Sequence, residues 1–324
     1  MFCGLSNGEV RCYDYLSSGP GSGLVGEFRH HTGPVRSVSC HPQPQHSLLA
    51  SGGDDTDIVL WDTKDIEATN KKRGRLRGHT DYVRDLAWHQ LYPWILSASD
   101  DCTVKVWNWL NRSLVTSITG HQHWVTSLAL HTTRDVFMSA SVDGTVRVWD
   151  YSALRNRTCR TGAHTEVASL LGMVDVVCQK ILDDFSEQLI FLRLHPTREL
   201  LAVGEGRQVT LYSTETWREV GRLVGHRDRL ARGGLWRLAS SGSYDLFLSL
   251  GRDRTVRVWS QDSGVCRWSH HTDQTYEGLA GSERLSYLAC WGADTLALLK
   301  VEAERPVMVS YAQHLYFLKN GTVR

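Results

Sequence analysis

The sequence predicts an all-β propeller of seven blades, the first of them incomplete. Three observations carry that prediction. A short unit recurs: SGGDDTDIVLWD ends near Trp61, SASDDCTVKVWNW surrounds Trp107, SASVDGTVRVWD ends near Trp149 and SLGRDRTVRVWS surrounds Trp259. In each copy two apolar, period-two runs flank a polar turn holding Asp, the pattern of paired antiparallel strands. His31, His79, His121 and His226 stand upstream of the four copies, and Trp61, Trp107 and Trp149 lie 46 and 42 residues apart, the length of a four-stranded blade. So small a sheet cannot bury both of its faces alone; stacking around an axis does it.

In chain order, residues 1–30 form the partial first blade. GEVRCYDY (8–15) reads as its third strand and LVGEFRH (24–30) as its outer strand; MFCGLS is at best its second, and an inner strand is missing. Closure of a ring removes exposed sheet edges, so an inner strand is expected upstream of Met1. The second blade covers 31–78 and the third 79–120. In the third, YVRDLAWH (82–89), WILSAS (94–99), TVKVWNW (103–109) and SLVTSIT (113–119) read as four strands from the inside out. Asp100–Asp101–Cys102 supplies the tight reversal between the middle two.

The fourth blade covers 121–184, and its tail (151–184), with an apolar run over 167–177, reads as a surface excursion over a blade edge. The fifth, 185–225, is degenerate: LIFLRLHP and LLAVGEGRQVTLYS keep the strand pattern, but Tyr212 replaces the tryptophan and no Gly-His precedes it. The sixth, 226–270, regains His226, Asp253 and Trp259. The seventh, 271–301, has YLACWGADTLALLK as its middle strands, and 302–324 is an exit segment. All 324 residues are expected to form a single propeller domain.

Hydrophobic content of 41% and charged content of 22% suit a soluble globular chain. A net charge of +1 gives no overall attraction to nucleic acid or anionic lipid, so neither is an expected partner. The eight cysteines show no CxxC and no short Cys/His spacing, which argues against a metal site and for free thiols in a reducing compartment. No apolar run reaches the ~18 residues of a membrane span, and the first residues lack a signal peptide's basic and apolar regions. A cytoplasmic protein with no cofactor and no direct membrane insertion is the expectation.

His, Ser and Asp recur in every well-formed blade, which invites a hydrolase triad. A triad needs one nucleophile and one base held at one place. Sets repeated blade after blade read instead as internal networks: the turn Asp accepts from His, His meets a strand serine (Ser97 or Ser99 in the third blade), and Ser meets the Trp indole. No phosphate loop, metal set or unique nucleophile remains, so no enzyme is expected.

The polar residues that such networks leave over carry the functional signal. Asp55 and Asp101 are the turn members, so Asp54 and Asp100, one position earlier, are extra; Val142 and Arg252 stand there in the fourth and sixth blades. Two extra acids on neighbouring blades make an acidic pocket near the axis. Tyr82 and Trp124 follow their histidines by three residues, and Arg36 enters the second blade similarly. Acids, aromatic rings and an arginine suit a short peptide carrying lysines and a terminal carboxylate. Ammonium meets carboxylate, alkyl stems lie on rings, and guanidinium grips the terminus bidentately. On this reading Asp101 carries stability, whereas Asp100 serves binding alone.

GHTDYVRDLAWHQ followed by YPWILSASDDCTVKVWNW is very similar to the third repeat of the coatomer alpha-subunit family. HHTGPVRSV and SGGDD resemble its second repeat, GHQHWV and SASVDGTVRVWDYSALR its fourth, and ERPVMVSYAQHLYFLKNGTVR the segment that leaves its propeller. The resemblance covers essentially the whole chain, is strongest over 30–155, and has the beta-prime coatomer subunits as its nearest competitor. It implies a seven-bladed WD-repeat β-propeller in a vesicle coat, peripheral on Golgi membranes and coat vesicles. The implied partners are other coatomer subunits and the cytosolic C-terminal dilysine tails of membrane proteins returning from Golgi to endoplasmic reticulum.

The resemblance also implies roles. Arg36 meets the terminal carboxylate, Asp54 and Asp100 receive lysine ammonium groups, and Tyr82 lines the groove. Trp124 stands where the family has Tyr and packs on a lysine stem without the hydroxyl; Ser6 stands where the family has His in the first blade's turn. The family's basic pair in the first inner strand has no counterpart here. Carboxylate capture then rests on Arg36, at a cost of roughly 1–3 kcal/mol for each charged hydrogen bond lost. The alternative is a WD-repeat interaction scaffold of alpha- or beta-prime-coatomer type that no longer reads dilysine tails.

Overall fold

The computed structural model describes residues 2–13, 23–64, 72–161, 175–237, 246–260, 263–281, 287–291, 296–300, 309–311, 314–316, 318–319 and 322–323. The chain forms two compact units, Met1–Asp184 and Phe185–Arg324.

In the first unit, the first sheet has three strands among the described residues: β1 (Phe2–Gly4), β2 (Glu9–Tyr13) and β3 (Leu24–Arg29). Three four-stranded antiparallel sheets follow. The second holds β4 (Val35–Cys40), β5 (Leu48–Gly53), β6 (Ile58–Asp62) and β7 (Lys72–Leu76). The third holds β8 (Val83–Trp88), β9 (Trp94–Ser99), β10 (Val104–Asn108) and β11 (Ser113–Ile118), within a residue or so of the ranges read from sequence. The fourth holds β12 (Val125–Leu130), β13 (Val136–Ser141), β14 (Val146–Asp150) and β15 (Val177–Leu182). The tail of the fourth blade therefore differs from a plain surface excursion. It opens with a helix, α1 (Ser152–Thr161), whose Leu154 is buried, and then supplies the outer strand β15. The stretch 162–174, which includes most of the apolar run over 167–177, lies outside the described residues.

The alternation within β9 shows why these sheets stack. Trp94, Leu96 and Ala98 pack with Val125, Leu128, Phe137 and Trp149 of the fourth sheet. Ile95 points the other way, toward Leu48, Ile58 and Leu60 of the second. Each sheet is thus apolar on both faces, and burial at roughly 25 cal/mol per Å² is obtained only by sandwiching it between neighbours. The first strands of the second, third and fourth sheets, β4, β8 and β12, lie side by side, and β1 lies beside β4.

The second unit repeats the theme. It contains β16 (Leu189–Leu194), β17 (Leu200–Glu205), β18 (Gln208–Ser213) and β19 (Glu219–Val224), then β20 (Leu230–Arg237), β21 (Leu246–Gly251), β22 (Thr255–Ser260) and β23 (Cys266–His271). Tyr212 is buried at the tryptophan position of the degenerate repeat. The next sheet has five strands among the described residues: β24 (Gly278–Gly281), β25 (Tyr287–Trp291), β26 (Leu296–Lys300), β27 (Val309–Tyr311) and β28 (His314–Tyr316). The exit segment expected over 302–324 thus contributes two strands to this sheet, because β27 pairs with β26.

Four copies of one polar network lock the turns. In the third sheet the Trp107 indole N–H donates to Ser97 Oγ (2.8 Å), Ser97 lies 2.6 Å from His79 Nε2, and His79 Nδ1 lies 2.7 Å from Asp101. Trp61–Ser51–His31–Asp55, Trp149–Ser139–His121–Asp143 and Trp259–Ser249–His226–Asp253 repeat it with distances of 2.7–3.1 Å. Ser99, the other candidate serine, donates to the Asp81 carbonyl instead. The residue after each network Asp has positive φ: Thr56 (65°), Cys102 (65°), Gly144 (80°) and Arg254 (59°). Only Gly144 adopts this freely. The other three are held there by the Asp side chain, which accepts the backbone N–H two residues on.

Burial lowers the pKa of His79, His121 and His226 by more than their aspartates raise it, so the rings are neutral at pH 7. Burial alone would raise the carboxyls of Asp101 and Asp143. Hydrogen bonds from the paired histidine and from Thr103 or Thr145 outweigh it, holding Asp143 at about 2 and Asp101 lower still. The folded state therefore binds fewer protons than the unfolded chain below the ordinary histidine value of about 6.5 and again below the ordinary aspartate value of about 4. Stability should be full at pH 7 and fall in two stages on acidification; calorimetry showing a melting temperature flat from pH 7 to 4 would contradict this. Ser139→Ala strips both His121 Nε2 and the Trp149 indole of their partner. It should cost about 1–3 kcal/mol for each stranded group in urea denaturation at pH 7.

Candidate functional site

Antiparallel order brings the entry to each first strand and the turn between the second and third strands to one edge of the sheet. The backbone couples them at equivalent positions. Asp54 N–H donates to the Pro34 carbonyl, Asp100 N–H to that of Tyr82 and Val142 N–H to that of Trp124, each at 2.9 Å. The residue three after each histidine therefore always lies beside the residue one before the network Asp. The first sheet joins the same edge: Val35 N–H donates to the Leu5 carbonyl, beside the exposed turn that holds Ser6. At Gly8 in that turn (φ 86°) a Cβ would lie 2.4 Å from the His31 carbonyl oxygen, so the first turn packs flush on the second sheet's entry loop. Across the first strands, Asp85 of β8 accepts from Ser37 of β4 (3.2 Å) and from Ser127 and the Leu128 N–H of β12 (3.0 and 2.9 Å). One carboxylate thus fixes the spacing of three sheets.

On this edge the structure brings together Arg36 with Asp54 and Tyr82 with Asp100 and Trp124, but the acids are not spare. Arg36 forks onto Asp54, Nε to Oδ1 at 2.7 Å and Nη2 to Oδ2 at 2.5 Å. Arg84 forks onto Asp100 in the same way, at 2.8 and 2.5 Å. The Arg84 guanidinium carbon lies 5.7 Å from the Tyr82 ring centre and 5.5 Å from that of Trp124, so the cation sits between two aromatic faces. Arg84 stands five residues after His79, as Arg36 stands five after His31, and that register could have revealed it in the sequence.

These pairs revise the acidic pocket. The Asp100 side chain is only 2% exposed, whereas its Arg84 partner is 22% exposed, and Arg36 outreaches Asp54 likewise. The outward parts of both pairs are guanidinium groups. Asp100 is therefore a structural carboxylate, buried and forked, rather than one serving binding alone. Negative potential persists nearby. After burial, the carboxylates of Asp101, Asp100, Asp143 and Asp81 together push the Cys102 thiol's pKa up. Asp81, which the sequence reading passed over, is half-buried, accepts the Tyr82 N–H at 2.8 Å and makes no ion pair among the described residues. Tyr82 and Trp124 are 40% and 43% exposed, open to a ligand's alkyl chain. Among the described residues no cluster of His, Cys, Asp or Glu suits a metal ion.

Residues 22–62, 70–108, 112–150 and 217–260, together about half of the chain, match the WD domain, G-beta repeat family. Those four stretches contain the four complete Trp–Ser–His–Asp networks. Striatin of Mus musculus is 25% identical over 283 residues, 83% of this chain and 34% of striatin. Probable coatomer subunit beta′ of Schizosaccharomyces pombe is 33% identical over 113 residues, 34% of this chain and 13% of that protein. Protein transport protein SEC13 of Lodderomyces elongisporus is 38% identical over 66 residues, 19% of this chain and 22% of that protein. The matched part thus spans about a third or less of each of these relatives.

The Arg84–Asp100 fork should register in a double-mutant cycle. Asp100→Asn should cost about 1–3 kcal/mol, and adding Arg84→Met should recover part of that loss because the stranded guanidinium is gone. Strictly additive losses in urea denaturation would show that the two side chains do not stabilise one another.

Proposed function

This chain belongs to the WD domain, G-beta repeat family as a WD-repeat β-propeller, and on that footing we propose that its first unit is the peptide-reading face of a coatomer-type coat subunit. The finer reading is a subunit of alpha type. It is cytoplasmic and peripheral on Golgi membranes and coat vesicles, assembled with other coatomer subunits. It binds C-terminal dilysine tails of membrane proteins for retrieval to the endoplasmic reticulum. The partial match to a coatomer beta′ subunit supports the coat setting, and the motif resemblance of the third repeat supports the alpha type.

One observation carries the peptide reading: two open aromatic rings, Tyr82 and Trp124, flank a fixed cation beside Asp81, an acid with no ion pair among the described residues. A lysine stem lies on the rings and its ammonium meets Asp81, within the field of Asp100, Asp101 and Asp143. On this reading the terminal carboxylate goes to Arg36, whose side chain is 37% exposed and paired with Asp54. The neutralised state of Asp54 and Asp100 favours the second reading, an interaction scaffold without dilysine recognition. The long match to striatin is compatible with either.

A peptide ending in Lys-Lys and two further residues should bind the whole chain at least about tenfold more tightly than its Ser-Ser counterpart. Asp81→Asn and Trp124→Ala should each erase much of that difference, and rising salt should weaken binding. Equal titration curves for the two peptides would leave the scaffold reading in place.

A further inference from the structure

The second unit carries a motif that the peptide reading leaves unused. The triplet Arg-Asp-Arg occurs twice in it, at 227–229 and at 252–254. The first lies in the loop entering β20 and the second in the turn between β21 and β22, so antiparallel order brings both to one edge of that sheet. Two hydrogen bonds hold them together. The Arg252 N–H donates to the Arg229 carbonyl at 2.8 Å, and the Arg227 N–H donates to Asp253 Oδ2 at 2.8 Å.

The two aspartates are not equivalent. Asp253 is the network acid: its side chain is 5% exposed and takes His226, the Arg227 N–H, and both the N–H and the hydroxyl of Thr255. Asp228 is exposed and accepts the Arg229 N–H. All four arginines are exposed, and among the described residues none of their side chains has a hydrogen bond, ion pair or ring contact. The two triplets thus present four guanidinium groups to water against one open carboxylate. On one side the Leu230 N–H donates to the Gly206 carbonyl at 2.6 Å, and Glu187 lies against Gly206. Glu187 and Asp273, which follows β23, are exposed acids at the margins, and neither pairs with any of the four arginines.

Register shows what is missing. Arg252 stands one residue before its network Asp, the position that Asp54 and Asp100 hold in the second and third sheets. There each acid closes a fork with the arginine five residues after the histidine. In the sheet β20–β23 that fifth residue is Ala231. Acid and arginine are both replaced, and the cations that stand here instead have no internal acid to close on. The planar guanidinium fork suits the two oxygens of a carboxylate. Four cations spread along two short loops fit carboxylates spread along a chain better than one compact anion. A long polyanion is disfavoured, because the cations are confined to one sheet edge and interleaved with Asp228, on a chain of net charge +1.

We infer that this edge docks an extended acidic segment of a partner protein, whose glutamate or aspartate side chains complete the forks that the sheet lacks. The inference uses only the second unit and does not rest on the dilysine reading, which concerns the first.

The test uses the whole chain and a fluorescein-labelled peptide, Glu-Ser-Glu-Ser-Glu-Ser, followed by anisotropy at low salt. The peptide should bind at least about tenfold more tightly than Gln-Ser-Gln-Ser-Gln-Ser. Arg229→Gln combined with Arg252→Gln should weaken it about tenfold. Arg218→Gln combined with Arg222→Gln makes an equal charge change, in β19 and the residue before it, and should leave affinity within about twofold. If the first pair lowers the melting temperature, Arg227→Gln combined with Arg254→Gln takes its place. Equal binding of the two peptides, or an equal loss in site and control variants, would overturn the inference. So would tighter binding of a short DNA duplex or of phosphatidylserine vesicles. Displacement of the peptide by inorganic phosphate at similar concentration would also overturn it, by assigning the edge to a compact anion.

Discussion

One hydroxyl in each well-formed sheet organises what surrounds it. Ser51, Ser97, Ser139 and Ser249 each face an indole N–H, which can only donate, and a histidine Nε2 that accepts because the Nδ1 proton is given to Asp. A serine has one proton and lone pairs to spare, so it satisfies both neighbours at once. The direction of every bond in the chain is thereby fixed. The turn Asp then takes the backbone of the entry loop as well, as Thr80 N–H does with Asp101 at 3.2 Å. Entry loop, turn and tryptophan-bearing strand are thus set before any surface residue is chosen.

That fixed edge explains how charged groups can stand so close without conflict. An arginine confined between two rings loses water on both faces, which is tolerable only if its in-plane N–H groups find strong acceptors. Asp100 gives Arg84 a forked acceptor in that plane. The arginine comes from β8 and its acid from the turn after β9 of the same sheet, while Trp124 comes from the loop entering the next sheet. The arrangement therefore exists only when neighbouring sheets are stacked. Recognition chemistry here belongs to the seam between repeats, as expected where each repeat is incomplete alone.

Much of this was legible in the residues. The third sheet could be read strand by strand because its turn residues and period-two alternation agree. Even the choice between Ser97 and Ser99 follows a rule: Ser97 shares its face of β9 with Ile95, the face toward Trp107. The outer strand β15 was not legible, because its mostly exposed, polar-mixed pattern looks like loop and a helix intervenes. The candidate site was readable as a list of residues but not as a set of charges. Arg36 and Trp124 can be placed from their spacing, yet only the neighbouring strand reveals that Asp54 and Asp100 already have partners. Burial of Asp100 and the open state of Asp81 are likewise properties of packing, invisible to spacing.

Asp85 sets these sheets apart from stacked-repeat proteins in which each module touches only its neighbours and can melt alone. Its two oxygens reach strands on either side at once, so the second, third and fourth sheets share a clasp that no single repeat owns. Opening any one of them strands the same carboxylate. Loss of order in this part of the chain is accordingly a collective event, and no isolated repeat cut from it carries the fold within its own boundaries.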